Sequence, residues 1–127
     1  MYSDNDFIFL GKIVEQITGM TLDEYVAKTF YQPIGMVTTG FKPRNRFPAE
    51  KMVPTETEKH FRQQTMQGDV HDEGASMFGG VAGHAGLFSD AYDLAMLYQM
   101  ILDGGEMNGE RFLQEKTINY FTAYHSE

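Results

Sequence analysis

The side chains best suited to chemistry gather in one stretch. His71, Asp72 and Glu73 are consecutive, and His84 follows a little further on. His60 and His125 complete the four histidines, and there is no cysteine. A zinc ion here would have to rely on imidazole and carboxylate ligands. No two histidines have the helical ligand spacing of an H-E-x-x-H motif, so they read as solvated loop residues and no metal is expected. Asp72 and Glu73 are adjacent. In an extended loop adjacent side chains point opposite ways, which makes a poor carboxylate pair for cleaving a sugar bond.

A serine nucleophile needs an adjacent base. The serines are Ser3, Ser76, Ser89 and Ser126. None sits in a G-x-S-x-G elbow. None has lysine three residues on: Ser3 leads to Asp6, Ser76 to Gly79 and Ser89 to Tyr92. Thiolate chemistry and disulfides are excluded outright, and no phosphate-binding glycine loop is present.

The elements that must position these groups read mainly as helices. One is expected near 4–18. Ser3 or Asp4 can cap it, and Asp4 and Asp6 suit the positive end of its dipole. Phe7, Leu10, Ile13, Val14 and Ile17 recur at helical spacing, and Thr18-Gly19 ends the run. A second helix is expected near 21–31. It starts at the capping box of Thr21 and Glu24, carries a stripe of Leu22, Tyr25, Val26 and Phe30, and stops at Pro33 and Gly35. A third, near 89–103, is capped by Ser89 and turns Leu94, Leu97, Tyr98 and Ile101 inward. Asn108-Gly109 marks a tight turn, and a fourth helix near 114–123 points Ile118, Phe121 and Tyr124 inward.

Residues 36–88 read as loop-rich. Pro43, Pro48 and Pro54 forbid long helices there, and short strands are expected near Met52-Val53 and Thr65–Val70. Gly74, Gly79, Gly80, Gly83 and Gly86 let backbone approach something closely. Strands and helices do not alternate as they would around a parallel sheet.

The 127 residues suit one small domain or part of a larger one, with 42% apolar and 22% charged residues. The net charge of −8 argues against nucleic acid and against an anionic membrane surface. No apolar run is long enough to span a bilayer. The polar start at Tyr2-Ser3-Asp4-Asn5-Asp6 is no signal peptide.

Several segments, taken in order, resemble one family. Tyr2-Ser3-Asp4, with the run from Phe7 to Gly19, resembles the second motif and following helix of class C β-lactamase-like and penicillin-binding-protein-like serine hydrolases. Gln32-Pro33-Ile34-Gly35-Met36 resembles that family's P-L-G-M turn. Gly83-His84-Ala85-Gly86-Leu87-Phe88-Ser89 with Asp93-Leu94-Ala95 resembles its G-G-L-x-S-T-x-x-D-L-A segment. The wording around Val70–Glu73 and Gly79–Gly86 is similar to a branch sometimes fused behind a glycoside hydrolase.

The resemblance implies a fold that is mainly α with long loops and a few short strands. Residues 1–127 would form one partial domain, the helical subdomain of the α+β serine β-lactamase-like fold. It implies catalytic roles for Tyr2 and Asp4, the first and last residues of a Y-x-N motif in which Asp replaces Asn. Ionised Asp only accepts hydrogen bonds, where Asn also donates. His71, Asp72 and His84 would line the substrate cleft. The S-x-x-K nucleophile motif is absent. His84-Ala85-Gly86 and Lys116-Thr117-Ile118 are near misses for the third motif, since one runs into a capped helix and the other lies within one.

The longer protein is therefore expected to be a DD-peptidase, β-lactamase or esterase acting through an acyl-enzyme, and this chain to be inactive alone. The other reading is a non-catalytic module binding a protein or glycan. Neither cofactor nor metal is expected. The expected partners are the remainder of the hydrolase domain and a second copy, joined through exposed apolar surface. The family resemblance implies a periplasmic or extracytoplasmic setting.

Overall fold

The computed structural model describes residues 2–124. Helix α1 spans Asp4–Thr18, starts after an extended Ser3 and ends at Gly19, whose positive φ lets its N–H reach back to Glu15. The capping box expected at Thr21 does not form, because the Thr21 hydroxyl turns to the Asp23 carboxylate instead of accepting the Glu24 amide, and α1 serves the neighbouring amide. The Glu15 carboxylate takes the Leu22 N–H at 3.1 Å while also holding Lys12 at 2.7 Å.

Helix α2 covers Leu22–Val26 and continues through a wide π turn, Ala27–Tyr31, into α3 at Gln32–Ile34. Pro33 was expected to stop this helix, yet the run passes it. The π turn lets proline begin a new helical segment, where its missing N–H would have had no partner. Gly35, at φ 95°, makes the actual stop.

The loop-rich middle is pinned by short antiparallel pairs. Strand β1 (Gly40–Phe41) pairs with β4 (Leu87–Phe88), and β2 (Glu56–Thr57) with β3 (Thr65–Met66). The strand expected over Thr65–Val70 is thus only its first two residues. Met52-Val53 joins no sheet, and the 3₁₀ turn Ala49–Lys51 precedes it. A helix the sequence reading lacked, α4 at Glu73–Met77, is capped by Asp72, which accepts the Ala75 N–H at 2.6 Å.

Helix α5 spans Ala91–Leu102, and its cap is Asp90 rather than Ser89. Asp90 Oδ1 accepts the Asp93 N–H at 2.8 Å, leaving the Ser89 hydroxyl to pair with Thr39 Oγ1 at 2.7 Å. A charged acceptor in register with the first turn displaces the neutral one before it. The hairpin β5 (Glu106–Met107) and β6 (Glu110–Arg111) turns at Asn108-Gly109, both at positive φ, before α6 at Glu115–Thr122.

The core is small. Ile34, Met36 and Met100 are buried among Phe30, Tyr31, Met96 and Leu97, and a second cluster joins Val70, Ala75 and Ala82. Several residues expected to face inward do not. Leu10, Ile13 and Ile17 of α1 are exposed, as are Leu94 and Tyr98 of α5 and Phe121 and Tyr124 near α6. Only Gly11 of α1 is buried.

Candidate functional site

Tyr2 lies just before α1, 70% exposed, with its ring stacked on Phe7 at 5.4 Å between centroids. A hydrogen bond to the Asp4 carboxylate, aided by its charge, raises the Tyr2 phenol above its ordinary value of 10. In this chain, then, Tyr2 holds its proton firmly. A general base needs a value nearer the working pH, so other groups would have to lower it.

Of the three cleft residues expected from sequence, the structure joins two. His84 Nε2 lies 2.9 Å from Asp72 Oδ1, and the His84 side chain is 4% exposed. The carboxyl of Asp72 sits below its ordinary value, first because it accepts the Ala75 amide and then because it accepts from His84. Ionised, it only accepts, so His84 carries its proton on Nε2. His71 departs from the other two. It pairs at the surface with Glu56, Nε2 to Oε2 at 2.6 Å. Extended backbone at Asp72 separates the two neighbours. Among the described residues no three histidine, aspartate or glutamate side chains converge as metal ligands. His125 and Ser126 lie outside the described residues.

Two buried carboxylates escaped the sequence reading. Asp93 enters the sequence reading only as part of the segment that resembles the family's G-G-L-x-S-T-x-x-D-L-A run. Its Oδ2 accepts from the amides of Thr38 and Thr39, both at 2.8 Å, and from their hydroxyls at 2.7 and 2.8 Å. Burial pushes this carboxyl up, and the four donors more than reverse that, so it stays ionised below its ordinary range. Arg46 grips the same turn from its other side, donating to the carbonyls of Thr38 and Thr39 at 3.1 and 3.0 Å. Together they fix the turn leading into β1. Glu58 is likewise buried and accepts amides from His60, Phe61, Arg62 and Gln63, which holds its pKa at about 2. A Thr-Thr pair and a distant aspartate were the only available signals for the first. The second had none beyond an acid before a polar run.

An apolar groove of about 520 Å³ runs between α1, α2 and the 82–87 stretch, lined by Phe7, Leu10, Val14, Val26 and Phe41 among others. Its mouth is open, and His84 and Gly83 border it. Ser89 offers no nucleophile, since its hydroxyl contacts Thr39 Oγ1 and the Asp90 carbonyl, neither of them a base. Lys116, Thr117 and Ile118 lie within α6, as expected.

Helices α1 and α2 with the 82–87 stretch thus form the walls of an open apolar groove, and the Tyr2 ring stacks on Phe7, one of its lining residues. Residues 1–126 match the Beta-lactamase family, and the chain belongs to it. It is 42% identical over 139 residues to a Salmonella enteritidis protein named as a D-alanyl-D-alanine carboxypeptidase, covering all of this chain and 32% of that one. A Salmonella schwarzengrund protein of the same name is 43% identical over 134 residues, covering 96% of this chain and 31% of its own. The chain thus spans about a third of these curated relatives. The octameric penicillin-binding protein homologue from Pyrococcus abyssi shares the fold, with a TM-score of 0.62 and 24% identity, over 94% of this chain and 24% of that one. Among the described residues no helix is long and apolar enough to cross a membrane.

Proposed function

We propose that this chain supplies one wall of the catalytic cleft in a longer serine hydrolase, and that the nucleophile and its lysine come from elsewhere in that polypeptide. The observation that carries this reading is the open apolar groove along α1, one of whose lining residues, Phe7, carries the stacked Tyr2 ring. A side chain such as Leu10, 53% exposed at the edge of a helix that buries only a glycine, is the mark of a missing neighbour. The longer enzyme forms an acyl-enzyme on its serine, with the Tyr2 hydroxyl near the proton path. Its substrates are amides or esters of the kind that D-alanyl-D-alanine carboxypeptidases cleave, and it works outside the cytoplasm. Alone, the chain is inert toward acyl donors.

The test is labelling with a fluorescent penicillin and with an activated ester. The 127-residue chain is expected to take up neither label, whereas the longer polypeptide carrying an S-x-x-K segment takes up at least the ester. Covalent labelling of the short chain, abolished by replacing one of its own serines, would overturn the reading.

A further inference from the structure

Beyond the cleft-lining role expected of Asp72 and His84 from the family resemblance, the two side chains form a pair whose geometry is demanding. Asp72 Oδ1 accepts both the Ala75 amide at 2.6 Å and His84 Nε2 at 2.9 Å, so one oxygen ties the start of α4 to the glycine-rich stretch. The His84 ring is buried, and its Nδ1 has no partner. Keeping a buried acceptor unpaired is unfavourable, so the ring is held there by what surrounds it.

The residue before it meets α1 directly. A Cβ built on Gly83 would lie 2.1 Å from the Phe7 carbonyl oxygen and 3.3 Å from the Gly11 amide nitrogen. Backbone therefore touches backbone across the first turns of α1. Phe7 in turn carries the stacked ring of Tyr2. A continuous path of contacts runs from Asp72 through His84, Gly83 and Phe7 to the tyrosine.

We propose that His84, locked by Asp72, is a positioning residue that sets the first turns of α1 and thereby the place of the Tyr2 hydroxyl in the cleft. This rests on the acyl-transfer reading above. His84 acts through the backbone and touches no reacting atom, which separates it from a substrate contact. A misplaced proton carrier slows chemistry more than it weakens binding.

Two measurements test it. In the full-length hydrolase with an activated ester, His84→Ala is expected to lower kcat about tenfold with KM unchanged. His84→Gln, whose amide can still donate to Asp72, is expected to recover most of that loss. A raised KM with unaltered kcat would make His84 a substrate contact, and equal kcat in all three proteins would remove any role; either overturns the proposal. In the 127-residue chain, His84→Ala is expected to speed amide exchange across Ile8–Gly11 while α6 keeps its wild-type rates. Uniform acceleration along the chain, or none in α1, overturns the proposed coupling. A wild-type full-length protein that never acylates sinks the acyl-transfer reading instead, and the exchange result still decides whether His84 positions α1.

Discussion

Single carboxylates, more than any apolar cluster, organise the middle of this chain. Glu58 shows the effect most directly, because four successive amides from His60 to Gln63 converge on one side chain. Its folded pKa of about 2 lies below the ordinary 4.5. Its stabilisation is therefore complete above pH 4.5 and is lost as the pH falls from there toward 2. Thermal melts of wild type and Glu58→Gln should differ most near neutrality and converge at the acid end of that window. A constant difference across the range would mean that charge is irrelevant to this loop. Asp93 acts over a longer distance in sequence. Its removal strands four donors of Thr38 and Thr39, three of which have no other acceptor among the bonds described here. Asp93→Ala is expected to cost about 3 kcal/mol in urea denaturation, since buried donors to a charged acceptor lose their full compensation. The carboxyl's lowered pKa gives it the same sign as Glu58, with stabilisation present above its ordinary value and lost on acidification below it.

At the scale of elements, the helices were legible and their surroundings were not. The periodicity of Phe7 to Ile17 locates α1, and Gly19 ends it where a left-handed residue is needed. The fourth helix matches its expected bounds to within a residue at each end. The short α4 and the pairing of β1 with β4 escaped, because both depend on partners far along the chain. Nothing within a few residues of Gly40 announces that Phe88 will lie opposite. The same holds for the site: Asp72 and His84 were singled out by residue type, but only the fold shows that they meet while His71 turns to Glu56. The glycine-rich stretch gave its meaning partly in advance, since close backbone approach was expected and Gly83 makes it. Gly83→Ala is therefore expected to destabilise the chain by about 1–3 kcal/mol, because its new methyl meets a backbone oxygen that cannot swing aside. Gly11→Ala, whose methyl would stand 3.3 Å from the nearest atom, should cost less. Equal losses in calorimetry would mean that α1 and this stretch are not in register as described.

At the scale of the whole molecule, the core is too small for the apolar surface that the helices carry. Phe9, Ile13 and Ile17 follow one another at four-residue spacing along α1, and Phe9 and Ile17 are 68% and 79% exposed. Leu102 and Phe121 are exposed to a similar degree on α5 and α6. Inward stripes were expected on these helices, and the sequence pattern cannot say whether the covering partner belongs to the same chain. Exposed apolar stripes of this kind in water drive association. We propose that, without the rest of the hydrolase domain, two copies cover them for one another. The net charge of −8 opposes close approach, so added salt should favour the dimer by screening that repulsion. Sedimentation at high concentration is expected to give twice the monomer mass, more completely at high salt, and Ile13→Glu should return it to the monomer. The longer polypeptide should show no such salt-driven association through these stripes, because its own chain would cover them. A clean monomer for the 127-residue chain under all these conditions would show that the exposed helices need no cover. The open groove along α1 would then call for no missing neighbour.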